Sequence, residues 1–391
     1  MNEHLAGDML LTTGSPGSSG EHHEAGNQDA SATTAGSTAP MNPMNEVTSN
    51  RVTVVVPARN EEVAVGRCLD SILEQDWEDM EVLVVDGAST DGSRDVVAQR
   101  QQRDPRVRLL HNERQIIPVA LNLALAEATG RWLVRVDAHA TIPRDYVRRA
   151  VEHLSTGLYG GVGGRKDGAG VTTAGRAIAA AMGSRFGVGG STYHRGTAPL
   201  TDVEHVPFGA YPVALLRELG GWDERLRVNQ DFELDFRLRE SGHRILFDPQ
   251  MRIDWQSRQS VRELFWQYHR YGRGKVSVAW LHPSSLRPRH LAAPGLVLTL
   301  LGSALVAVRR PRLALALLAP YVAALTAASS VTARSVHADA RPHVAPAFVA
   351  MHVGWGLGFW QGVWQLLASP NRRLERVRNR GSARTPGTRD R

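Results

Sequence analysis

Between Arg51 and Asp137, four short and almost continuously apolar runs are separated by stretches with helical spacing. The runs are RVTVVVP, MEVLVVD, RVRLLHN and RWLVRVD. A strand exposed on one face alternates apolar and polar residues, so continuous runs call for burial on both faces. Between the first two, Val65, Cys68, Leu69, Ile72 and Leu73 recur at helical intervals. Ser93 to about Arg103 reads as a second helix behind a Ser/Thr/Asp/Gly turn, and IIPVALNLALAEATG as a third that ends at Gly130. This alternation predicts an α/β fold with a buried, mainly parallel central sheet. Ligands of such sheets bind beyond the carboxyl ends of the strands. Asn60, Asp86 and Asp137 each stand just past a strand end.

The fourth run ends in Asp137-Ala138-His139. In an extended segment residues i and i+2 point the same way, so the acid and the imidazole could grip one object. Both are ligands for Mn²⁺ or Mg²⁺, with histidine favouring transition metals. A divalent cation is what a pyrophosphate leaving group needs, because it neutralises charge as the bond breaks. The plainer reading of the same residues is a turn with a helix cap.

Beyond Pro143 the chain is richer in glycine. YGGVGGRKDGAG reads as a strand and loop, VPFGAYPVALLRELGG as a short helix closed by Gly220 and Gly221, and NQDFELDFRLRESG as an amphipathic helix ended by Gly242. SVRELFWQYHRYG opens on Ser260 and Glu263, a capping box, and carries one apolar stripe that suits an interface. Three uncharged apolar stretches follow, Leu291–Val308, Leu313–Ala333 and Val344–Ala368. A span needs about 20 apolar residues, so the second and third qualify and the first is marginal. Gly354, Gly358 and Gly362 repeat at four-residue spacing, which would admit a close helix neighbour. With Arg309, Arg310 and Arg312 before the second stretch and eight arginines in residues 371–391, the second and third stretches are expected to form a membrane hairpin with both basic clusters cytoplasmic. The first is then re-entrant or interfacial.

Charge and composition set the remaining bounds. Residues 1–50 hold six acids, no Lys or Arg and no apolar period, and are expected to be disordered, as is the basic tail 371–391. The net charge of +7 is concentrated near apolar segments, which points to anionic lipid and away from nucleic acid, since no aromatic-basic interleaving accompanies it. The single cysteine, Cys68, rules out an intramolecular disulfide.

VVVPARNEE, VLVVDGASTDGS, ALNLALAEATGRWLVRVDAHA, GGWDE, NQDFELDFRLRESG and QYHRY occur in an order that resembles the family 2 glycosyltransferases, over roughly residues 51–275. DAHA, RFGVGGS and the apolar C-terminus look most like bacterial succinoglycan-biosynthesis-type enzymes. The resemblance implies a GT-A domain over 51–280, membrane-associated helices over 281–370, and a nucleotide-sugar donor, usually a UDP-sugar. It implies a nucleoside pocket lined by Pro57, Arg59, Asn60 and Glu61, with Asp86 bonded to the uracil ring. Asp91 would support that pocket, or else cap the following helix. Asp137 would meet the donor through a divalent cation, Mn²⁺ or Mg²⁺, held also by His139; the family usually shows Asp-x-Asp there. Asp231 matches the acid of the family's Glu-Asp pair, with Gln230 in place of the Glu, and would be the base of an inverting transfer. Gln267, Arg270 and Tyr271 match Gln-x-x-Arg-Trp, with Tyr for Trp. Arg270 would contact diphosphate and Tyr271 the acceptor sugar, unless Arg270 snorkels at a membrane and Tyr271 belongs to the apolar stripe. The expected activity is sugar transfer to a lipid-linked or saccharide acceptor in cell-surface polysaccharide synthesis. A processive synthase and a non-catalytic sugar-binding protein are the alternatives. A dinucleotide-dependent oxidoreductase would want G-x-G-x-x-G where PARNEE stands.

Overall fold

The computed structural model describes residues 50–188, 192–194 and 198–368. Residues 1–49, the tail and part of RFGVGGS, on which expectations were placed above, lie outside the described residues. The elements run β1 (Val52–Ala58), α1 (Val65–Leu73), β2 (Met80–Asp86), α2 (Ser93–Arg103), β3 (Val107–His111), α3 (Ile117–Glu127), β4 (Trp132–Arg135), β5 (Ala140–Thr141), α4 (Tyr146–Ser155), β6 (Tyr159–Ala169) and α5 (Thr173–Gly183). They continue with β7 (Thr201–Asp202), β8 (Ala210–Pro212), α6 (Val213–Glu218), α7 (Gln230–Glu240), β9 (Arg244–Gln256), α8 (Val261–Leu281), α9 (Ala292–Ala307), α10 (Pro311–Ala333) and α11 (Val344–Ala368).

One sheet carries these strands in the order β3-β2-β1-β4-β8-β6-β9-β5, with β7 also on β9. The β3-β2-β1-β4 half is parallel. The other half is mixed: β8 runs antiparallel to β4 and β6, β6 and β9 are parallel, and β5 and β7 are antiparallel to β9. The parallel half is the one the apolar runs predict. The 13-residue β9 went unread, although Met251, Ile253 and Trp255 point in while Arg252, Asp254 and Gln256 point out. That alternation is a strand period.

The same period of two assigns the sheet's faces. Val52, Val54 and Val56 of β1, with Trp132 and Val134 of β4, pack under α1, α4, α5, α8 and α11. Val55 and Leu133 pack on the opposite face, against α3, α6 and α7. Arg135 follows Leu133 by two, so it points toward α7.

The third apolar stretch behaves differently from the span expected of it. α11 is laid along α8, and Val344, Ala347, Phe348 and Met351 join the core. Its glycine stripe is the line of crossing: a methyl group at Gly354 would strike the Phe265 carbonyl, and one at Gly358 the His269 carbonyl. From the other side, one at Gly272 would strike the Trp355 carbonyl. We therefore expect Gly358→Leu to force α8 and α11 apart and to lower stability by about 1–3 kcal/mol, the usual range for overpacking; thermal unfolding of the purified chain reads it. Among the described residues, the helices long and apolar enough to cross a membrane are Pro288–Ala307 and Pro311–Ala333. Leu298, Leu301, Leu305, Leu313 and Leu315 on this pair are exposed.

Candidate active site

The first wall of the cleft is built where β1 and β2 end. Asn60 adopts a left-handed φ of 55°. Its Oδ1 accepts from Thr90 N at 2.9 Å, and its own N–H donates to Ser89 Oγ at 2.9 Å. The two loops are thus tied together. Asp86 is buried and accepts from Ser89 N at 3.2 Å and Arg94 Nε at 2.6 Å. Burial works against its charge, but Ser89 and Arg94 outweigh it and hold the carboxyl below the usual range. Asp91 accepts from Ser93 N at 3.0 Å and from Glu62 N at 3.2 Å, and so braces the turn into α2. Pro57 is half-buried, and Arg59 is exposed with its stem packed over Gly87.

The centre of the site is Arg135, which sequence reasoning passed over as a strand residue. Only 4% of its side chain is exposed. It contacts Asp137 Oδ1 through Nε at 3.0 Å and Nη2 at 2.9 Å, and through Nη1 it pairs with Asp231. Burial opposes its charge, but the two carboxylates outweigh burial and raise its pKa. A signal for it existed: it is the one charged residue of its strand, two positions before Asp137 and hence on the same side. Asp231 reaches it from the first turn of α7, where the left-handed Asn229 (φ 60°) redirects the chain. Asn229 Nδ2 also donates to the Tyr271 carbonyl at 3.0 Å, which ties that turn to α8. Burial raises the Asp231 pKa, and Asp137 and Asp235 add to it, against the pull of Arg135 and His205. Its side chain remains 22% exposed. Four residues on, the buried Asp235 accepts from His205 Nδ1 at 2.7 Å, Val206 N at 3.1 Å and Tyr211 Oη at 2.8 Å, and so fixes α7 to the sheet.

A second residue that sequence reasoning missed is Lys166 on β6. Its Nζ lies 3.6 Å from the centroid of Trp255 and 4.8 Å from that of Phe208. Burial pulls its pKa down to about 8; the nearby Asp137 resists this, and Arg135 and Arg258 add to it. It also lines a cavity of about 180 Å³ with His194, Met182 and Trp255. From α8, Gln267 Nε2 donates to Tyr271 Oη at 2.9 Å. Arg270 is exposed, and burial of its stem together with Arg258 lowers its pKa. Arg258, whose buried Nε has no partner among the described residues, thus lies near Lys166, Arg270 and Tyr271. A concentration of positive charge here faces the two acids of the centre.

The Asp137–His139 segment is not extended. Ala140 N donates to the Asp137 carbonyl at 2.8 Å, closing a turn. His139 Nδ1 meets Glu61 Oε1 at 2.9 Å, and its ring lies 6.2 Å from that of Trp255. Glu61 therefore faces the imidazole. The donor set suits a hard or borderline cation completed by substrate oxygens. Asp137 uses only Oδ1 on Arg135, and His139 Nε2 has no partner among the described residues. Those residues contain no group of three His, Cys, Asp or Glu side chains that could hold a metal alone. Cations shared with a phosphate group are commonly held by one or two protein ligands.

A family model described as Glycosyl transferase family 2 matches residues 53–220. The succinoglycan biosynthesis protein ExoA of Rhizobium meliloti (strain 1021) is 32% identical over 321 residues, covering 81% of this chain and 96% of that protein. A dolichyl N-acetyl-α-D-glucosaminyl phosphate 3-β-D-2,3-diacetamido-2,3-dideoxy-β-D-glucuronosyltransferase of Methanococcus voltae is 23% identical over 60% of this chain and 78% of its own length. Among solved structures, the mannosyltransferase PcManGT from Pyrobaculum calidifontis, in complex with GDP-Man and Mn²⁺, superposes with a TM-score of 0.50 at 23% identity. It covers 80% of this chain and 87% of its own. That likeness speaks for the fold.

Proposed function

Because the chain belongs to glycosyltransferase family 2, we propose that it transfers one sugar, with inversion, from a nucleotide-sugar donor to a lipid-linked or saccharide acceptor in cell-surface polysaccharide synthesis. The observation that carries this reading is Arg135 joining Asp137 and Asp231. One guanidinium holds the acid beside the donor and the acid beside the acceptor in fixed relation. A UDP-sugar fits the Asp86 wall, where a carboxylate faces the nucleoside loops. The Methanococcus voltae relative, by its name, acts on a sugar carried on a lipid phosphate and forms a β linkage, which agrees with the acceptor class.

The acceptor hydroxyl gives its proton to Asp231 as its oxygen bonds to the anomeric carbon. The bond from that carbon to the diphosphate breaks on the opposite face, and the nucleoside diphosphate leaves with the electron pair. An α-linked donor yields a β-linked product. A divalent cation, when bound through Asp137 and His139, supplies charge neutralisation at the diphosphate. Lys166 on β6, Arg258 in the β9–α8 connection and Arg270 on α8 present further positive charge, and Tyr271 closes the acceptor side. Incubating membranes with a panel of UDP- and GDP-sugars and lipid-diphosphate acceptors tests the reading. Donor-dependent release of UDP or GDP is expected, and its absence across the panel with donor binding intact would point to a non-catalytic protein.

The α9–α10 pair is the element we place in the membrane, with the catalytic domain on the cytoplasmic side. The pair exposes leucines along its length. Replacing Leu301, Leu305 and Leu315 together by Asp is expected to move the protein from the membrane pellet to the soluble fraction, since each charge at bilayer depth is opposed by about 2.5–3.5 kcal/mol. Fractionation with immunodetection reads this directly.

A further inference from the structure

We propose that Glu61 is a positioning residue for the cation, fixing His139 in the tautomer whose Nε2 lone pair faces the donor site. This rests on the reading that Asp137 and His139 hold that cation. A neutral imidazole can bond a carboxylate only by donating, so the 2.9 Å contact to Glu61 Oε1 puts the proton on Nδ1. Nε2 then carries the lone pair and has no partner among the described residues.

Both partners are held from behind. The Glu61 N–H donates to Ser93 Oγ at 2.7 Å, and Ser93 Oγ donates to Asp91 at 2.5 Å. The Glu61 carbonyl accepts from Ala64 N at 2.9 Å and Val65 N at 2.8 Å at the start of α1. On the other side, His139 sits in the turn closed by Ala140, which pairs with Trp255 in β9. Asp91 and Ser93 thus anchor the Glu61 backbone at the α2 turn, and the Glu61 carboxylate holds the ring. A histidine whose second nitrogen is bonded to a carboxylate is oriented and made more basic as a metal ligand. An oriented imidazole also makes the site softer than one built from two carboxylates, which favours Mn²⁺ over Mg²⁺.

Two roles compete with this one. Glu61 could wall the nucleoside, or it could form an ion pair with an imidazolium, which would repel a cation. Mn²⁺ binding to the detergent-solubilised full chain, followed by electron paramagnetic resonance with UDP and with GDP, separates them; calorimetry gives nucleotide binding without metal. Glu61→Ala is expected to weaken Mn²⁺ binding by about 10–100-fold, to diminish the ¹⁴N coupling on bound Mn²⁺, and to weaken nucleotide binding more with Mn²⁺ than without metal. Glu61→Gln, which still accepts the N–H, should fall between. In a His139→Asp background the ¹⁴N coupling should vanish, Mg²⁺ should gain on Mn²⁺, and adding Glu61→Ala should cost nothing further.

The proposal is overturned if Glu61→Ala leaves Mn²⁺ affinity unchanged. Equal weakening of nucleotide binding with and without metal, or the same loss in the His139→Asp background, overturns it too. If the unsubstituted chain binds neither nucleotide with Mn²⁺, the donor reading itself fails, which is a distinct result.

Discussion

Asp231→Asn is expected to lower sugar transfer by about 10²–10⁴-fold, the usual worth of a positioned general base, while donor affinity changes little. Asn fills the same volume and can still accept from Arg135, so α7 should keep its place and the thermal midpoint should move only modestly. It cannot take up a proton. The pH profile adds a check that a structural role would not affect. Burial raises the Asp231 pKa above the ordinary carboxylate value, and a base works only when ionised. The transfer rate of the unsubstituted protein should therefore fall as pH drops through that raised value. The residual activity of Asp231→Asn should lack this acidic limb. Measuring nucleoside diphosphate release against pH in membranes, with calorimetry for the donor, gives both readouts. Retained turnover, or an unchanged acidic limb, would move the base elsewhere in the cleft.

How far the sequence discloses such a site depends on where its signal is stored. The parallel half of the sheet was legible because Val52–Val56 and Met80–Val85 are buried on both faces, and only a covered strand tolerates such runs. β9 was harder: it lies at the mixed end of the sheet, and Pro249 interrupts its pattern. Asp86, Asp137 and Asp231 could be singled out from strand ends and motif order. Arg135 and Lys166 could not be paired with them, because each lies inside a strand and its partners come from elements up to 96 residues away. A buried cation on a strand is nonetheless a local anomaly, and its register with Asp137 was available. α11 shows the opposite limit. Its 25 residues carry no charge and are long enough for a membrane span, yet they are not among the described helices apolar enough to cross one, and its glycines are spent on α8. Length and freedom from charge do not distinguish a bilayer from a helix neighbour.

Arg135→Met should cause the largest loss of stability of any single change at the site. The guanidinium is buried and neutralises two acids at once, and removing one partner of a buried pair costs about 3–5 kcal/mol because the other charge is left unsolvated. Met matches the length of the side chain, so cavity formation contributes little. Without the cation, Asp137 and Asp231 face each other uncompensated, and the folded-state pKa of one or both must rise above its unfolded value. The sign of the pH dependence follows. A carboxyl whose pKa is raised by folding binds more protons folded than unfolded, so the variant loses stability as pH rises through that value. The deficit against the unsubstituted protein should thus be largest at neutral pH and should shrink toward pH about 4, where protonation removes the repulsion. Arg135→Lys should lie between, since one ammonium cannot present the fork that reaches both acids. Denaturant titrations of the three proteins at several pH values measure this. A pH-independent deficit would mean that Arg135 contributes packing alone. A deficit that vanishes in an Asp231→Asn background would show that the two acids, and not the hole, set its size.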